Sequence, residues 1–321
     1  MSLDTHRNPP LAPHGACYRG RFAPSPTGAL HLGSLVTAVA SYLDARRAGG
    51  EWLLRIEDID RPREVPGSAD TIIATLAAFG FEWTGPIVRQ SERIERYEAA
   101  LEQLARDGLV YRCSCSRKAI AAAAQRGDDG EEPRYAGWCR EGPLDPTAPS
   151  AIRFKVNPQE VSVVDTIQGP LQVDVSRESG DFVIKRRDGL LAYQLAVVVD
   201  DAEQGITHVV RGADLLSSTP RQMLLQRALG FSPLTYAHVP LVTDEHGVKF
   251  SKSAGAGAVD ATKPAEELWR SLYLLRQAPP LQLRSANLET LWSWAVEHWT
   301  TAPLTGLLQT AVVASSTRRS C

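Results

Sequence analysis

The sequence predicts an α/β protein with a doubly wound parallel sheet, an insertion within the sheet domain and a short helical region towards its C-terminal end. Strand and helix patterns alternate along residues 18–110, which is typical of a parallel sheet. Over residues 151–175 apolar and polar residues alternate one by one, which is typical of antiparallel strands. The 321 residues, 43% of them hydrophobic, are enough to bury a large core without disulfides.

The first part of the domain, residues 18–110, begins like a nucleotide-binding unit. A strand over residues 18–23 enters a loop rich in Pro and Gly, and an apolar helical pattern follows over residues 30–43. A strand, a loop and a helix start in this order open a nucleotide-binding α/β fold. The next predicted elements are a strand over 51–56, a helix over 68–79, and a helix over 91–107 with Ser91 as its N-cap and Gly108 just after its end.

The rest of the chain divides into three predicted regions, preceded by a flexible leader over residues 1–17. The regions are an insertion over 111–180, the second half of the sheet domain over 181–258, and a C-terminal helical region over 259–321. Their predicted elements are a helix over 118–125, parallel-type strands over 182–184, 207–210 and 238–242, and helices over 192–200 and 219–229, with mostly helical sequence from Pro264 onward.

Composition and charge exclude several classes of protein. The net charge of −2 argues against a uniformly basic nucleic-acid binder, although a local basic patch could still bind RNA. No stretch resembles a transmembrane helix, and the polar first 15 residues lack the apolar core of a signal peptide. Five cysteines are an odd number, and three of them lie close together. These features favour a reduced, cytoplasmic protein that holds a metal ion over a disulfide framework.

The tetrapeptide His31-Leu32-Gly33-Ser34 lies at the start of the first helix. The N–H groups and dipole of a helix N-terminus favour phosphate. Gly33 allows a nucleotide to approach the backbone closely, and His31 can neutralise charge that develops on an α-phosphate. A tetrapeptide of this kind could also occur at an ordinary helix start, so its meaning depends on a second motif.

That second motif is the sequence Lys249-Phe250-Ser251-Lys252-Ser253, which lies in a loop rich in Gly, Ser and Ala. Two lysines on a flexible loop can close over a triphosphate. There they would stabilise the charge of the leaving pyrophosphate mainly in the transition state. Taken alone, the segment could equally be a solvated basic loop.

Together, and in this order, the two motifs resemble those of the class I aminoacyl-tRNA synthetases. Residues 21–28 (Arg-Phe-Ala-Pro-Ser-Pro-Thr-Gly), 54–60 (Leu-Arg-Ile-Glu-Asp-Ile-Asp) and 210–216 (Val-Arg-Gly-Ala-Asp-Leu-Leu) are similar to the glutamate-specific subgroup. The resemblance spans about residues 18–260. It implies the Rossmann-like, doubly wound parallel sheet of class I synthetases.

The resemblance implies that the chain activates glutamate with ATP, accompanied by Mg²⁺, to form glutamyl-adenylate. The attacking carboxylate is already charged, so positioning and electrostatics suffice and no general base is needed. The implied catalytic residues are His31, Lys249 and Lys252, and the implied ATP-binding residues are His31, Gly33, Ser34 and Lys252.

Glutamate carries two carboxylates and one ammonium group, so its pocket needs cations and an anion. Arg21 and Arg211 are candidate cations, because a guanidinium can bind a carboxylate through two hydrogen bonds. Glu57 is the candidate anion, and Tyr193 can add a hydroxyl donor. The glutamate-binding set that the resemblance implies is Arg21, Phe22, Ala23, Pro24, Ser25, Glu57, Tyr193 and Arg211.

Three cysteines of the insertion, Cys113, Cys115 and Cys139, suggest a structural Zn²⁺ site, with one ion per chain. A fourth ligand is required, and no histidine lies within residues 111–142. The residues themselves leave several candidates open, namely Tyr135, Asp128, Asp129, Glu131 and Glu132. The resemblance selects Tyr135, because the shortened relatives of glutamyl-tRNA synthetases have a Cys-x-Cys…Tyr-x-x-x-Cys zinc site.

Those shortened relatives, the glutamyl-queuosine tRNA(Asp) synthetases, are the group that the chain resembles most. Only about 68 residues follow Ser253, too few for the helical domains with which full glutamyl-tRNA synthetases read the anticodon. The resemblance implies tRNA-independent activation of L-glutamate and its transfer to queuosine at the wobble position of tRNA(Asp), with no obligate protein partner and no membrane. Three alternatives remain: charging of tRNA 3′ ends, a catalytically idle RNA-binding or regulatory paralogue, and an unrelated nucleotidyltransferase.

Overall fold

A computed structural model describes residues 17–123, 134–244, 247 and 258–312. Its first sheet consists of parallel strands in the order β1 (Arg19–Phe22), β2 (Glu51–Ile56) and β3 (Val88–Arg89). Helix α1 (Leu32–Arg47) connects β1 to β2 and packs on both strands. This parallel strand–helix–strand unit confirms the α/β prediction for the first part of the chain.

The second sheet has the order β7 (Gly169–Asp174), β6 (Glu160–Asp165), β10 (Thr235–Val239) and β9 (His208–Gly212). Strands β9 and β10 are parallel, and β6 runs parallel to β10. The N–H of Thr207 donates a hydrogen bond of 2.9 Å to the carbonyl of Arg19, so β9 lies beside β1. The carboxyl ends of these parallel strands therefore point to a common edge.

The third sheet is antiparallel, with the order β4 (Val110–Cys113), β5 (Ala151–Phe154) and β8 (Phe182–Lys185). The prediction of a parallel-type strand over residues 182–184 was wrong. In β8, Phe182 and Ile184 are buried while Val183 and Lys185 are partly exposed. One covered face is the normal environment of an antiparallel strand. Antiparallel pairing is confirmed for the hairpin of β6 and β7.

Most predicted helices are present, and the main error concerns the start of α3. Ser91 lies in a 3-10 turn, and its N–H and hydroxyl donate to the carboxylate of Asp58 at 2.8 and 2.7 Å, so Arg93 is the N-cap instead. Gly108 follows the helix with φ +68°, as expected. The helices are α2 (Ser68–Ala78), α3 (Ile94–Arg106), α4 (Arg117–Ala123), α5 (Val175–Glu178), α6 (Tyr193–Glu203), α7 (Thr219–Leu229), α8 (Pro264–Leu274) and α9 (Leu288–His298).

The strand predicted over residues 238–242 is divided at Pro240, which has no N–H to continue a ladder. The chain turns there from β10 into β11 (Leu241–Thr243), which pairs in parallel with β12 (Gln309–Ala311) from the C-terminal region. The described part of that region contains α8 and α9, which pack against α1. Within the described residues, none of the helices has the length and apolar character needed to cross a membrane.

Candidate active site and metal centre

A chain of buried charges joins β1, β2 and α6 at the carboxyl edge of the parallel strands. Arg21 near the end of β1 donates from Nε to Asp201 at 3.2 Å. Arg55 on β2 donates from Nη2 to the same carboxylate oxygen at 2.8 Å and to Glu57 at 3.4 Å. All four side chains are at least nine-tenths buried. Each charge has an opposite partner, as buried charges require.

Glu57 is the least compensated carboxyl group of this network. Burial raises its pKa to about 7, and the nearby Arg55 and Arg21 guanidinium groups only partly offset that effect. Asp201 also lies in a buried position, but the charges and hydrogen bonds of Arg21 and Arg55 outweigh the desolvation and lower its pKa. The site therefore contains one carboxyl group that can change its charge near neutral pH.

Behind these groups, Asp200 connects the network to α3. Its carboxylate accepts hydrogen bonds from Gln90 at 2.8 Å, Arg93 at 2.7 Å and the hydroxyl of Tyr97 at 2.9 Å. Arg55, which is fully buried, lies 3.7 Å from the same carboxylate. Helix α6 is thus attached to both β2 and α3 by charged contacts.

The second predicted cation, Arg211 on β9, is held from several sides. Its Nε donates to Nε2 of His238 at 3.0 Å, Nη1 donates to Gln222 at 2.8 Å and Nη2 donates to the hydroxyl of Thr219 at 2.8 Å. The hydroxyl of Tyr193, at the start of α6, lies 3.4 Å from Nη1. Arg211 is 4% exposed. Its plane is therefore fixed before any substrate binds.

His238, the cross-strand neighbour of Arg211, is completely buried. Its Nδ1 lies 2.6 Å from a carboxylate oxygen of Asp165 at the end of β6. Burial lowers the pKa of His238; the hydrogen bond to Asp165 opposes this effect, while the charge of Arg211 adds to it. The ring is therefore neutral at physiological pH.

The His-Leu-Gly-Ser motif occupies the N-terminus of α1, as predicted. His31 is the N-cap, and its Nδ1 accepts a hydrogen bond from the N–H of Ser34 at 3.2 Å, while the hydroxyl of Ser34 lies 3.0 Å from Nε2. The N–H of Val259 donates to the carbonyl of Leu30, and Ala258 forms a β-bridge with His31. The chain that leaves the predicted lysine loop thus runs beside this motif. Lys249 and Lys252 themselves lie outside the described residues.

The loop after β1 contributes mainly backbone. Phe22 packs its ring in the core against Trp52, with ring centroids 6.3 Å apart, so its main chain is the part that can line the site. The carbonyl of Pro24 accepts the N–H of Glu57 at 3.0 Å, which aligns this loop with the end of β2. Ala23 is partly exposed and Ser25 is exposed at this edge.

A separate cluster in the 111–180 segment contains all four predicted metal ligands. The sulfur atoms of Cys113, Cys115 and Cys139 lie within 4.8 Å of one another. The hydroxyl of Tyr135 lies 3.3 Å from the sulfur of Cys113 and 3.7 Å from that of Cys115. Sulfurs on a tetrahedral Zn²⁺ are about 3.8 Å apart, so the four donor atoms have suitable spacing.

The thiol groups of the cluster differ in how readily they ionise. Burial raises the pKa of Cys115 to about 11. For Cys139 burial acts in the same direction, but hydrogen bonds from Tyr135 and from the backbone outweigh it and lower the pKa to about 6. The guanidinium carbon of Arg153 lies 3.9 Å from the ring centroid of Tyr135. One thiolate and a phenol beside a guanidinium form a donor set that could hold a metal ion. The alternative ligands Asp128, Asp129, Glu131 and Glu132 lie outside the described residues.

Several residues of the site were missed from the sequence. The acidic pair Asp200 and Asp201 gave a signal, because it continues the apolar sequence of α6 into the protein interior. Asp165 and His238 gave none, since they are 73 positions apart and meet only because β6 lies beside β10.

The family model that matches this chain is "tRNA synthetases class I (E and Q), catalytic domain", over residues 18–276. The glutamyl-Q tRNA(Asp) synthetase of Dechloromonas aromatica is 53% identical over 283 residues, which cover 88% of this chain and 94% of the relative. The enzyme of the same name from Chromobacterium violaceum is 54% identical over 284 residues, with the same coverage. The glutamate-tRNA synthetase of Elizabethkingia anophelis superposes with a TM-score of 0.77 and 27% identity, covering 93% of this chain and 68% of that one.

Proposed function

The chain belongs to the class I tRNA synthetases of the glutamate and glutamine type, and from this membership we propose that it activates L-glutamate with ATP without needing tRNA. We further propose that it transfers the glutamate to the queuosine base at the wobble position of tRNA(Asp). The observation that carries the first step is that Arg21, Arg211 and Glu57 are all buried and all lie close enough to Tyr193 to act electrostatically on its hydroxyl.

These three residues match the charges of glutamate. The proposal assigns the side-chain carboxylate to the guanidinium groups and the ammonium group to Glu57, with Tyr193 adding a hydroxyl donor. The guanidinium groups cannot lose their protons, so Arg21 and Arg211 remain positively charged at any physiological pH. Phe22, Ala23, Pro24 and Ser25 are proposed to line the pocket through the loop after β1.

The activation step requires positioning, since the attacking carboxylate is already an anion. His31, Gly33 and Ser34 lie at the positive end of α1, where N–H groups and the helix dipole favour phosphate. His31, Lys249 and Lys252 are proposed to stabilise the charge that develops as pyrophosphate leaves, with Mg²⁺ accompanying ATP.

The acceptor is inferred from the relatives. Enzymes named glutamyl-Q tRNA(Asp) synthetase are 53 and 54% identical to this chain, whereas the glutamate-tRNA synthetase with a similar structure is 27% identical. Charging of a tRNA 3′ end is the second candidate function, and the TM-score of 0.77 favours it. The higher sequence identity to the enzymes named glutamyl-Q tRNA(Asp) synthetase favours queuosine as the acceptor.

We also propose that Cys113, Cys115, Tyr135 and Cys139 hold one Zn²⁺ per chain. When bound, the ion would cross-link the segments that supply its ligands and would stabilise the thiolate and phenolate forms. It is assigned no part in the reaction. The region that carries it, residues 111–180, is proposed to be an insertion between two halves of the nucleotide-binding domain, 18–110 and 181–258.

The first prediction is that the purified protein exchanges labelled pyrophosphate into ATP when glutamate is added and no tRNA is present. The pocket should be sufficient for this step, because Arg21, Glu57 and Arg211 are held by contacts within the chain. Glutamine and aspartate are the control substrates, and neither should support exchange. An exchange that requires tRNA would indicate an ordinary glutamyl-tRNA synthetase instead.

The second prediction concerns the acceptor. Labelled glutamate and ATP are supplied with tRNA(Asp) that either contains or lacks queuosine. We expect stable label only on the queuosine-containing tRNA, and we expect it to remain after oxidation of the 3′ terminal ribose of the tRNA. Label that depends on an intact 3′ end would instead support the second candidate function.

The third prediction follows from the pKa of Glu57, which is about 7 in the free protein. Binding of an ammonium group favours the carboxylate form, so below pH 7 a proton must first be lost. We expect kcat/KM for glutamate to rise about tenfold per pH unit up to about pH 7 and then to level off. Glu57→Gln should abolish this rise and weaken glutamate binding.

The matched control for that experiment is Glu51→Gln. Glu51 lies at the opposite end of the same strand, where it pairs with Arg19 at the surface. This variant should keep the pH profile of the wild type. A wild-type profile that is flat through pH 7 would contradict the assignment of Glu57.

The fourth prediction concerns Gly180, which has φ +67° and leaves no space for a Cβ beside the carbonyl of Tyr135. Gly180→Ala should displace Tyr135 and lower the zinc retained per chain after dialysis against a chelator. Gly189→Ala is the control, because Gly189 has φ +87° but nothing within 4 Å of a Cβ, so it imposes similar backbone strain without the collision. Equal zinc in both variants would exclude Tyr135 as a ligand.

A further inference from the structure

We propose that Asp165 and His238 act together as a tautomer lock that positions the guanidinium of Arg211 for the substrate carboxylate. This inference rests on the proposed function of Arg211 as a glutamate-binding cation. Asp165 and His238 are positioning residues here, since neither is assigned a contact with the substrate. The proposal follows from three buried side chains in line: a carboxylate, an imidazole and a guanidinium.

The order of hydrogen bonds fixes the histidine tautomer. Nε of Arg211 always carries a hydrogen, and it points at Nε2 of His238 from 3.0 Å, so Nε2 must accept. Nδ1 of His238 lies 2.6 Å from the Asp165 carboxylate, which can only accept, so Nδ1 must donate. Both hydrogen bonds can therefore form only when the imidazole of His238 carries its hydrogen on Nδ1.

This arrangement leaves part of Arg211 available. Its short hydrogen bonds, of 2.8–3.0 Å, go to His238, Gln222 and Thr219. Its remaining contacts, with the hydroxyl of Tyr193 and the carbonyl of Leu215, are longer, at 3.4 Å each. The short hydrogen bonds hold the guanidinium plane. The hydrogens that make the longer contacts are the ones that can donate to a substrate carboxylate instead.

The two carboxylate oxygens of Asp165 have different hydrogen-bond partners. Oδ1 accepts three backbone N–H groups, from Ile167 at 3.0 Å, Gln168 at 2.8 Å and His238 at 3.2 Å. Oδ2 is the oxygen that lies against Nδ1 of His238. An asparagine at position 165 would keep its oxygen on the three N–H donors, because its amide nitrogen cannot accept them. It would therefore present NH₂ to Nδ1 of His238.

Asp165→Asn is thus a nearly isosteric change that reverses the tautomer. Nδ1 would become the acceptor and Nε2 would carry the hydrogen, which then faces the N–H of Arg211. A buried donor facing a donor loses its hydrogen bond, and we expect the KM for glutamate in pyrophosphate exchange to rise about tenfold. The KM for ATP should stay unchanged. Asp174→Asn is the control, because Asp174 caps backbone N–H groups in the same hairpin region without any contact to Arg211.

A second substitution distinguishes a positioning role from a purely structural one. In His238→Gln with Asp165 unchanged, the glutamine NH₂ can donate to the Asp165 carboxylate while the amide oxygen accepts from Nε of Arg211. The KM for glutamate should therefore stay close to the wild-type value in this variant, although the imidazole is gone. A His238→Gln variant as impaired as Asp165→Asn would overturn the proposal.

The tautomer can also be read directly, without substrate. The ¹⁵N chemical shifts of His238, identified by their loss in His238→Gln, should show a hydrogen on Nδ1 in the wild type and on Nε2 in Asp165→Asn. The opposite wild-type pattern would overturn the lock, whatever the activity. A wild type without glutamate-dependent exchange would instead remove the proposed function. Normal exchange with an unchanged KM in Asp165→Asn would remove the lock alone.

Discussion

The buried guanidinium of Arg55 is the constraint on which the candidate active site depends. A fully buried charge is tolerated only when opposite charges and hydrogen bonds surround it. Here they come from Glu57 on the same strand and from Asp200 and Asp201 on α6. Asp201 also holds Arg21 of β1, so three elements are fixed to one another by a single set of contacts. The proposed substrate pocket lies where this set reaches the edge of the sheet.

The same network supports the proposal that Glu57 binds the ammonium group. Asp201 accepts hydrogen bonds from two guanidinium groups, and its pKa is lowered. Glu57 has one longer contact, 3.4 Å from Nη2 of Arg55, and its pKa is about 7. The imbalance is a property of the free pocket. An arriving ammonium group would supply the missing positive charge, so binding and ionisation of Glu57 are coupled.

How much of the fold and of the candidate site the sequence predicts depends on how far apart the interacting residues are along the chain. The strand, loop and helix around His31 and the grouping of three cysteines could be predicted, because each is encoded by a local pattern or a short spacing. Tyr135 was selected only by the family resemblance. Ser91 was misassigned because a distant acceptor, Asp58, took its hydrogen bonds. The Asp165–His238 contact could not be predicted, since it requires knowing that β6 pairs with β10.

The proposed metal centre and the substrate pocket are mechanically connected through β8. Cys113 ends β4, which pairs with β5, and β5 pairs with β8. The N–H of Ala192, the N-cap of α6, then donates to the carbonyl of Ile184 in β8 at 2.9 Å. A metal ion that stiffens β4 would therefore stiffen the base from which α6 starts. Because α6 carries Tyr193 and Asp201, the proposed metal centre can influence the geometry of the proposed glutamate pocket through this connection.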